Sequence, residues 1–351
     1  MPEKSGIYFI YILIKDVFMA FTTNNASVKF GIIGTNFISD MFCDAAKKAG
    51  TEICAVYSRK DETGRAFAEK HGIRNVFSDY ENFCLSDSFN SCYIASPNFL
   101  HRKHVCDMLQ SNKHVLCEKP IGINPNQLHD MITLAEKNGL ILLEAMRPAY
   151  DPSFLIIKEQ IKKIGKIRRA CFSYCQYSSR YDKFKEGTVL NAFNPELCNA
   201  AVMDIGIYCI HMCASLFGMP QKILSSSLFL ENGFEAQGSA ILKYQDMCAD
   251  IFYSKITQSY VPSFILGEQG CVTFGHALSK IGEICLYGND GQKNALPFKA
   301  DENNMVYEIR AFNKMVLSGK NDFESLENSL TSMKILEQIC KNSGIDFSAG
   351  K

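Results

Sequence analysis

VKFGIIGTNFIS, residues 28–39, joins a short apolar run to a glycine turn and then to a helical pattern that continues to residue 49. This strand–turn–helix order is typical of dinucleotide-binding units, whose fingerprint is G-x-G-x-x-G. Gly34 supplies the first glycine, while Asn36 and Ser39 stand at the second and third positions. Asparagine accepts a positive φ better than most residues, so we expect the turn to survive. By itself this motif also fits an ordinary strand–helix turn.

The alternation of apolar strands and amphipathic helices continues from this stretch to residue 146. Parallel strands that are covered by helices on both faces show continuous apolar runs of this kind. The sequence therefore predicts an α/β fold that begins with a Rossmann NAD(P)-binding domain at residues 28–148. Strands are predicted at 28–34, 51–58, near Val76, 91–96, 114–118 and 141–146, and helices at 37–49, 61–71, 100–111 and 125–138.

The pattern changes after residue 150. Turn-separated strand candidates predict an α+β domain at residues 149–351 with a large, mostly antiparallel open sheet for substrate binding and oligomerisation. Residues 1–27 are expected to form a poorly ordered N-terminal extension. The apolar run within it, at 7–14, is too short for a bilayer span. Helices are predicted at 153–163, 201–217, 303–318 and 325–342, and strands at 167–178, 222–230, 236–243, 248–255, 262–266, 270–274 and 283–287.

Composition excludes several classes of protein. Lys+Arg and Asp+Glu both number 37, so no basic field predicts a nucleic-acid partner, and no membrane partner is expected. The 15 cysteines are scattered through apolar runs, which favours buried thiols in a reducing cytoplasm. Neither Cys171 with Cys175 nor Cys209 with His211 and Cys213 forms a paired CxxC, so we expect no metal site.

Ser58, Arg59 and Lys60 follow the second strand, about where an acidic residue would bind the ribose of NAD. A hydroxyl group and two cations suit a 2′-phosphate better. The sequence therefore favours NADP, with NAD possible. The alternative is that both cations are solvated residues at the start of a helix.

Polar residues follow the predicted strands at 91–96 and 114–118, and three others lie on the otherwise apolar helix predicted at 201–217. Asp204, Tyr208 and His211 are spaced i, i+4 and i+7, which places them on one helical face. Such a face either lines a cleft or belongs to a satisfied polar core. Gly206 disfavours the helix and indicates the close approach of another group.

These motifs together resemble the glucose–fructose oxidoreductase / inositol dehydrogenase superfamily, Gfo/Idh/MocA, over about residues 28–347. Glu118-Lys119-Pro120 matches its EKP signature, and Asp204-x-Gly206-x-Tyr208 matches its D-x-G-x-[HY] signature. The segment 95–101 resembles the family's ATPN-x-x-H strand end, 191–195 the loop before the catalytic helix, and 144–147 the last strand of the nucleotide domain.

The resemblance implies the function and the site. It implies a dehydrogenase in which Tyr208 is the acid/base, Lys119 contacts the nicotinamide ribose and the reacting oxygen, and Asp204 orients substrate hydroxyl groups. A sugar, polyol or cyclic diol is the expected substrate, contacted also by Tyr150 and His211. The residues expected at the cofactor are Gly34, Thr35, Asn36, Phe37, Ile38, Ser58, Arg59, Ser96, Pro97, Asn98, His101, Glu118, Lys119 and Arg147.

The chain also departs from the family pattern. Residues 198–200 replace glycines before the catalytic helix, His211 stands where many members carry aspartate, and the chain has no tryptophan. Tyr150, Tyr177 and Tyr181 could supply the aromatic substrate wall instead. Two alternatives stay open: a non-catalytic nucleotide or ligand sensor of the same fold, and a reductase of double bonds or imines. An open sheet face predicts a homodimer or homotetramer.

Overall fold

Two β-sheets organise the part of the chain that the computed structural model describes, residues 27–347. The extension expected at residues 1–27 therefore lies, except for Ser27, outside the described residues. The first sheet contains β1 (Lys29–Ile33), β2 (Glu52–Tyr57), β3 (Asn75–Phe77), β4 (Ser91–Ile94), β5 (His114–Glu118) and β6 (Leu142–Ala145).

All neighbouring strands of this sheet are parallel, in the order β3-β2-β1-β4-β5-β6. The order reverses between β1 and β4, and open α/β sheets bind ligands beside such a switch point. The predicted Rossmann sheet is thus confirmed. Its helices are α1 (Phe37–Ala49), α2 (Asp61–His71), α3 (Tyr80–Leu85), α4 (His101–Gln110) and α5 (Pro125–Lys137).

The second sheet has eight strands in the order β14-β13-β12-β11-β7-β10-β9-β8. Only β7 and β10 pair in parallel, so the predicted mostly antiparallel sheet is confirmed. Its strands are β7 (Ile167–Cys175), β8 (Lys222–Phe229), β9 (Glu235–Lys243), β10 (Cys248–Ser254), β11 (Ser263–Gly267), β12 (Gly270–Phe274), β13 (Ile284–Gly288) and β14 (Lys293–Leu296).

Helices of the second half of the chain pack on both sheets. They are α6 (Arg147–Tyr150), α7 (Pro152–Gln160), α8 (Ser179–Lys185), α9 (Ile207–Phe217), α10 (Met305–Ser318) and α11 (Phe323–Ser343). Helix α10 joins the core of the first sheet, where the Phe312 and Phe30 rings lie 5.4 Å apart. Helix α11 packs on α9, β8 and α5. The two sheets are thus tied together on both sides of the cleft between them.

Three local predictions need correction. The single helix predicted at 201–217 begins with a π-helical turn, Val202–Gly206, before α9. Helix α8 and strand β14 were not predicted, because a seven-residue helix and a four-residue exposed strand carry little hydrophobic periodicity. The long strand predicted at 167–178 ends at Cys175.

One apolar helical stretch within residues 27–347, Pro195–Phe217, is long enough to cross a membrane. Of its most apolar 18 residues, 78% are buried inside the protein, which is also what the core helix of a globular protein shows. All 15 cysteines are free thiols, and most of them are buried.

Candidate active site

The turn after β1 has a backbone that only glycine fits. Gly34 has a φ of +106°, and a Cβ atom at this position would lie 2.7 Å from the carbonyl oxygen of Ala95. Both the positive φ and the close approach exclude a side chain. Gly34 therefore meets the demand of the first position of the dinucleotide fingerprint.

Asn36 fits the turn for a different reason from the one expected. Its φ is −92°, so the expected positive φ is wrong. Its Oδ1 accepts hydrogen bonds from the N–H groups of Ile38 (3.1 Å) and Ser39 (3.3 Å), and its Nδ2 donates to the carbonyl oxygen of Ala95 (3.0 Å). Asn36 is thus the N-cap of α1, a position that asparagine favours.

Two exposed cations follow β2 at the same edge of the sheet. The side chains of Arg59 and Lys60 face solvent, while Ser58 is buried and its N–H group donates to the carbonyl oxygen of Phe77 at 3.0 Å. The next carboxylate, Asp61, accepts a 2.6 Å hydrogen bond from Arg65 in α2. This edge therefore presents positive charge.

Lys119, which follows β5 of the first sheet, contacts Asp204 in the π-helical turn that packs on the second sheet. Its Nζ donates to the carbonyl oxygen of Asp204 (2.7 Å) and to Oδ1 of the same residue (2.9 Å). Oδ2 of Asp204 lies 2.7 Å from Nζ of Lys255. The side chains of Lys119 and Lys255 are 14% and 6% exposed, whereas that of Asp204 is 46% exposed. Two buried ammonium groups therefore hold one carboxylate that faces solvent.

Opposing effects set the charge of these groups. Burial lowers the pKa of Lys119, but nearby Tyr208 and Asp204 outweigh it, so the net shift is upward. Burial raises the pKa of Asp204, but Lys119 and Lys255 outweigh it and hold this pKa well below its ordinary value. Lys119 and Asp204 are consequently both charged at neutral pH.

Tyr208 lies between two cations. Its hydroxyl oxygen accepts a 3.2 Å hydrogen bond from the guanidinium group of Arg147, which follows β6. Nζ of Lys119 lies 5.0 Å from the centroid of its ring, and the Tyr174 ring packs 5.6 Å away. Burial lowers the pKa of Arg147, but the proximity of Tyr208 and of Glu118 reverses the shift, so Arg147 stays charged. The tyrosine hydroxyl thus faces fixed positive charge.

The π-helical turn that carries Asp204 lies against β10. A Cβ atom at Gly206 would lie 2.9 Å from the ring of Tyr253. This is the close approach that the glycine indicated. Because any larger residue would push the turn away from the sheet, Gly206 sets the depth at which Asp204 meets Lys119.

A buried carboxylate satisfies the start of this turn. Glu235, the first residue of β9, accepts hydrogen bonds from the N–H group of Val202 (2.9 Å) and from the hydroxyl group of Ser227 (3.2 Å). Burial raises the pKa of Glu235 to about 6, although both hydrogen bonds oppose the shift. The helix that carries Asp204 and Tyr208 is thus anchored by a distant strand.

Polar residues after β4 brace the loops around the cleft. Nδ2 of Asn98 donates to the carbonyl oxygen of Cys198 and to Oδ1 of Asn199, both at 3.2 Å. Asn98 and the preceding Pro97 therefore lie beside the loop that leads into the helix carrying Asp204 and Tyr208. This contact again joins the two halves of the cleft.

His101 and Glu118 are buried inside these loops. The ring nitrogens of His101 lie 2.8 Å from the carbonyl oxygen of Pro120 and 2.9 Å from that of Ser96, and burial lowers its pKa. Oε1 of Glu118 accepts a 2.6 Å hydrogen bond from Tyr93. Their side chains hold the loops after β4 and β5 together.

His211 and Tyr150, which are predicted to contact the substrate, both form a contact with α11. His211 is buried with Nδ1 3.1 Å from the hydroxyl oxygen of Ser332, and burial lowers its pKa to about 4. The hydroxyl oxygen of Tyr150 lies 2.5 Å from that of Ser325. Asp204 and Tyr208 both contact Lys119, whereas His211, one turn further along the same helix, contacts α11.

The proposed aromatic wall is divided. The hydroxyl group of Tyr177 bonds to Asp182 (2.7 Å) and to Lys185 (2.8 Å) on α8. The Tyr181 ring packs 5.9 Å from that of Phe193, beside the loop before the catalytic helix. Phe193 in turn packs against the ammonium group of Lys255, which binds Asp204. Tyr181 is thus connected to Asp204 through these contacts, whereas the hydroxyl group of Tyr177 bonds to α8.

Two residues of the site were missed from the sequence. Lys255 follows β10 in an unremarkable SKIT segment, and Glu235 begins β9 after a turn. Neither lies in a motif, and each contacts a residue that is distant in the sequence: Lys255 contacts Asp204, and Glu235 contacts Val202. Only the pairing of β9 and β10 beneath the catalytic helix brings them to the site.

Comparisons with known proteins agree with this geometry. Residues 28–146 match the GFO_IDH_MocA model, described as an oxidoreductase family with an NAD-binding Rossmann fold. The chain is 40% identical to a scyllo-inositol 2-dehydrogenase (NADP(+)) of Bacillus subtilis, over 92% of this chain and 99% of the relative. It is 26% identical to a trans-1,2-dihydrobenzene-1,2-diol dehydrogenase of Xenopus laevis, over 92% of this chain and 99% of the relative.

A solved structure shows the same fold. A 3-ketoreductase from Actinomadura kijaniata, crystallised with NADP and TDP-benzene, superimposes with a TM-score of 0.80. The match covers 91% of this chain and 98% of that enzyme at 21% identity.

Proposed function

The chain belongs to the Gfo/Idh/MocA oxidoreductase family, and from this premise we propose that it is an NADP-preferring dehydrogenase of a sugar, polyol or cyclic diol. Family membership makes it an NAD(P)-dependent oxidoreductase that acts on CH–OH groups. Our proposal adds the cofactor preference, the substrate class and the roles of individual residues.

One observation carries the proposal: a tyrosine hydroxyl group, a buried lysine and a solvent-facing carboxylate converge in the cleft between the sheets. Lys119 bonds to Asp204 and lies over the ring of Tyr208, whose hydroxyl oxygen accepts from Arg147. An acid/base group, a cation for developing negative charge and an acceptor for hydroxyl groups are the parts that alcohol oxidation requires.

The first sheet fits a dinucleotide beside this cluster. Gly34 allows the tight turn that brings the chain from β1 to the start of α1, and the N-terminus of α1 favours a phosphate. Thr35, Asn36, Phe37 and Ile38 would hold the pyrophosphate through their backbone. The loops after β4, β5 and β6 would surround the nicotinamide, with Ser96, Pro97, Asn98, His101, Glu118 and Arg147.

Positive charge supports NADP over NAD. Arg59 is exposed at the carboxyl end of β2 and can pair with a 2′-phosphate through two parallel hydrogen bonds. Lys60 adds charge, and Ser58 adds a hydroxyl group. The relative from Bacillus subtilis is itself named as NADP-dependent.

The roles follow from the contacts. Tyr208 takes up the proton of the substrate hydroxyl group, because Arg147 and Lys119 stabilise negative charge on its oxygen. A bound NADP⁺ would accept the hydride from the carbon atom that bears this hydroxyl group, which would become a carbonyl carbon. Lys119 stabilises the charge that develops on the substrate oxygen. Asp204 orients neighbouring hydroxyl groups through its exposed carboxylate.

The substrate class rests on this exposed carboxylate. An ionised carboxylate accepts hydrogen bonds only, so it favours a molecule with several hydroxyl groups. Two relatives are named for cyclic substrates with adjacent oxygen-bearing carbons, an inositol and a dihydrobenzene diol. A cyclic polyol is therefore the first substrate to test.

The open face of the second sheet supports a homodimer or homotetramer. Leu224, Leu228, Ile241 and Leu266 are exposed on its strands. Apolar surface of this kind usually meets a partner. Sedimentation velocity at micromolar concentration should give a mass above one chain, and a monomer would contradict this part of the proposal.

The experiment has two arms. Titration of the purified protein with NADPH and NADH, followed by nicotinamide fluorescence, should give binding of both with NADPH tighter. A panel of inositols, aldoses and cyclic diols with NADP⁺ should then give turnover of at least one cyclic polyol. Binding without turnover on the whole panel would favour the ligand-sensing alternative, and absent binding would refute the dehydrogenase.

A further inference from the structure

We propose that Lys255 is a positioning residue for the reaction, which clamps Asp204 and the loop before the catalytic helix into one rigid unit. The inference rests on the proposed function, since Asp204 is taken to orient the substrate. Lys255 does not lie in any motif of the chain, and its place is set by the second sheet alone.

The contacts of Lys255 explain why its charge is buried. Its Nζ lies 2.7 Å from Oδ2 of Asp204 and donates to the carbonyl oxygen of Ala192 at 3.2 Å. The rings of Phe193 and Phe234 lie 5.1 and 5.6 Å from the ammonium group. A buried cation is costly unless it is paired and hydrogen-bonded, and these groups supply both, with added cation–π attraction.

The backbone of Lys255 is fixed on both sides. Its N–H group donates to the carbonyl oxygen of Ala236 at 2.9 Å, and its own carbonyl oxygen accepts from Ser178 at 2.9 Å. The ammonium group therefore projects from a rigid strand end. Two consequences follow for the carboxylate and for the loop.

The first consequence concerns charge. Lys119 and Lys255 share the carboxylate of Asp204, so these three residues carry one positive charge in excess, in addition to that of Arg147 at the hydroxyl group of Tyr208. Without Lys255, the carboxylate of Asp204 would neutralise Lys119 alone. Less positive charge would then remain to stabilise the oxygen that receives the proton, so turnover in the oxidative direction would need a higher pH.

The second consequence concerns the loop. The bond to Ala192 ties residues 191–193 to Asp204 through a single ammonium group. Phe193 is fully buried under the same group. Loss of Lys255 should therefore loosen this loop without disturbing the first sheet, where the cofactor is proposed to bind.

The test compares Lys255→Met with Lys255→Arg and with Lys334→Met, an exposed lysine on α11 that serves as the control. For Lys255→Met we expect kcat/KM to fall about 10- to 100-fold and the pH of half-maximal kcat to rise by about one unit. The NADPH dissociation constant should stay within about twofold, since the first sheet is untouched. Lys255→Arg should restore part of kcat/KM and most of the pH profile, because it keeps the charge.

Hydrogen–deuterium exchange gives a readout without turnover. Peptides covering 188–199 should exchange faster in Lys255→Met than in the native protein, with no change in Lys334→Met. If the native protein binds NADPH but turns over nothing, this exchange still decides the structural half of the proposal. Unchanged exchange in Lys255→Met would overturn the role at the loop, whatever the activity of the native protein. In an active protein, an unchanged pH profile would overturn the role in charge.

A double-mutant cycle covers the possibility that Lys255→Met is unstable. If Lys255 acts through Asp204, adding Lys255→Gln to Asp204→Asn should lower kcat/KM by less than about twofold further. A fully additive loss would mean that Lys255 does not act through Asp204 and would refute its role in holding this carboxylate, while the exchange experiment tests its role at the loop.

Discussion

Two helices begin in the cleft, and their N-termini are satisfied in opposite ways. Helix α1 is capped by Asn36, a residue of its own turn. The helix that carries Asp204 and Tyr208 is anchored by Glu235, 33 positions away from the Val202 N–H group that it accepts. The first solution is local, so a change there should alter one turn. The second couples the helix that carries Asp204 and Tyr208 to strand β9 of the second sheet, so a change there should affect the whole site.

The largest effect should come from the catalytic helix itself. Tyr208→Phe removes the hydroxyl group that accepts from Arg147, and we expect kcat to fall by about 10²- to 10⁴-fold, the usual contribution of a general acid/base. NADPH binding should change little. Steady-state kinetics and fluorescence titration measure both quantities.

Tyr244→Phe is the matched control for this loss. Tyr244 is buried and its hydroxyl group donates to the carbonyl oxygen of Gly218 at 3.3 Å, away from Lys119. It should lose stability but keep kcat. Equal losses of kcat in both variants would show that the effect comes from folding.

The next effect tests the distant anchor. The pKa of Glu235 is raised to about 6 in the folded protein, from an ordinary value of 4.5. The folded state therefore binds this proton more tightly, so its contribution to stability is present below pH 4.5 and is lost as pH rises through about 6. The loss amounts to about 2 kcal/mol.

Urea denaturation between pH 4.5 and 7 should show this loss in the native protein and not in Glu235→Gln, which keeps an acceptor for Val202. Histidines buried elsewhere, such as His211, titrate in both proteins and cancel in the difference. Parallel pH dependences in the two proteins would mean that Glu235 is not the titrating group.

The contrast between the two helix starts also explains what the sequence could predict. The Rossmann sheet, the EKP segment and the D-x-G-x-Y helix lie in continuous motifs, and periodicity with the family resemblance was enough to find them. Lys255 and Glu235 act across strands, so no local pattern marks them. The π-helical turn at Val202–Gly206 was not predicted either, because an i, i+4, i+7 spacing does not distinguish it from an α-helical turn.

A smaller effect should come from the cofactor edge of the first sheet. Arg59→Ala should weaken NADPH binding about tenfold or more, and NADH binding by less than about twofold, since the 2′-phosphate loses a bidentate partner. Arg74→Ala serves as the control, because Arg74 is exposed at the opposite, amino end of β3. An equal loss for both nucleotides would assign Arg59 a general electrostatic role and remove the argument for NADP.

The smallest effect tests the local cap. Asn36→Ala removes the acceptor for Ile38 and Ser39 and should lower the free energy of unfolding by about 1 kcal/mol, as for other N-caps. Asn124→Ala, at the start of α5, should cost a similar amount and leave NADPH binding unchanged. Asn36→Asp keeps the acceptor for Ile38 and Ser39, loses the Nδ2 donor to the carbonyl oxygen of Ala95, and places a negative charge where a phosphate is proposed to bind. Asn36→Ala loses the same donor without adding charge, so we expect NADPH binding to be weaker in Asn36→Asp than in Asn36→Ala. Unimpaired NADPH binding would mean that the pyrophosphate does not lie at the N-terminus of α1, and the cap would then be the only role of this residue.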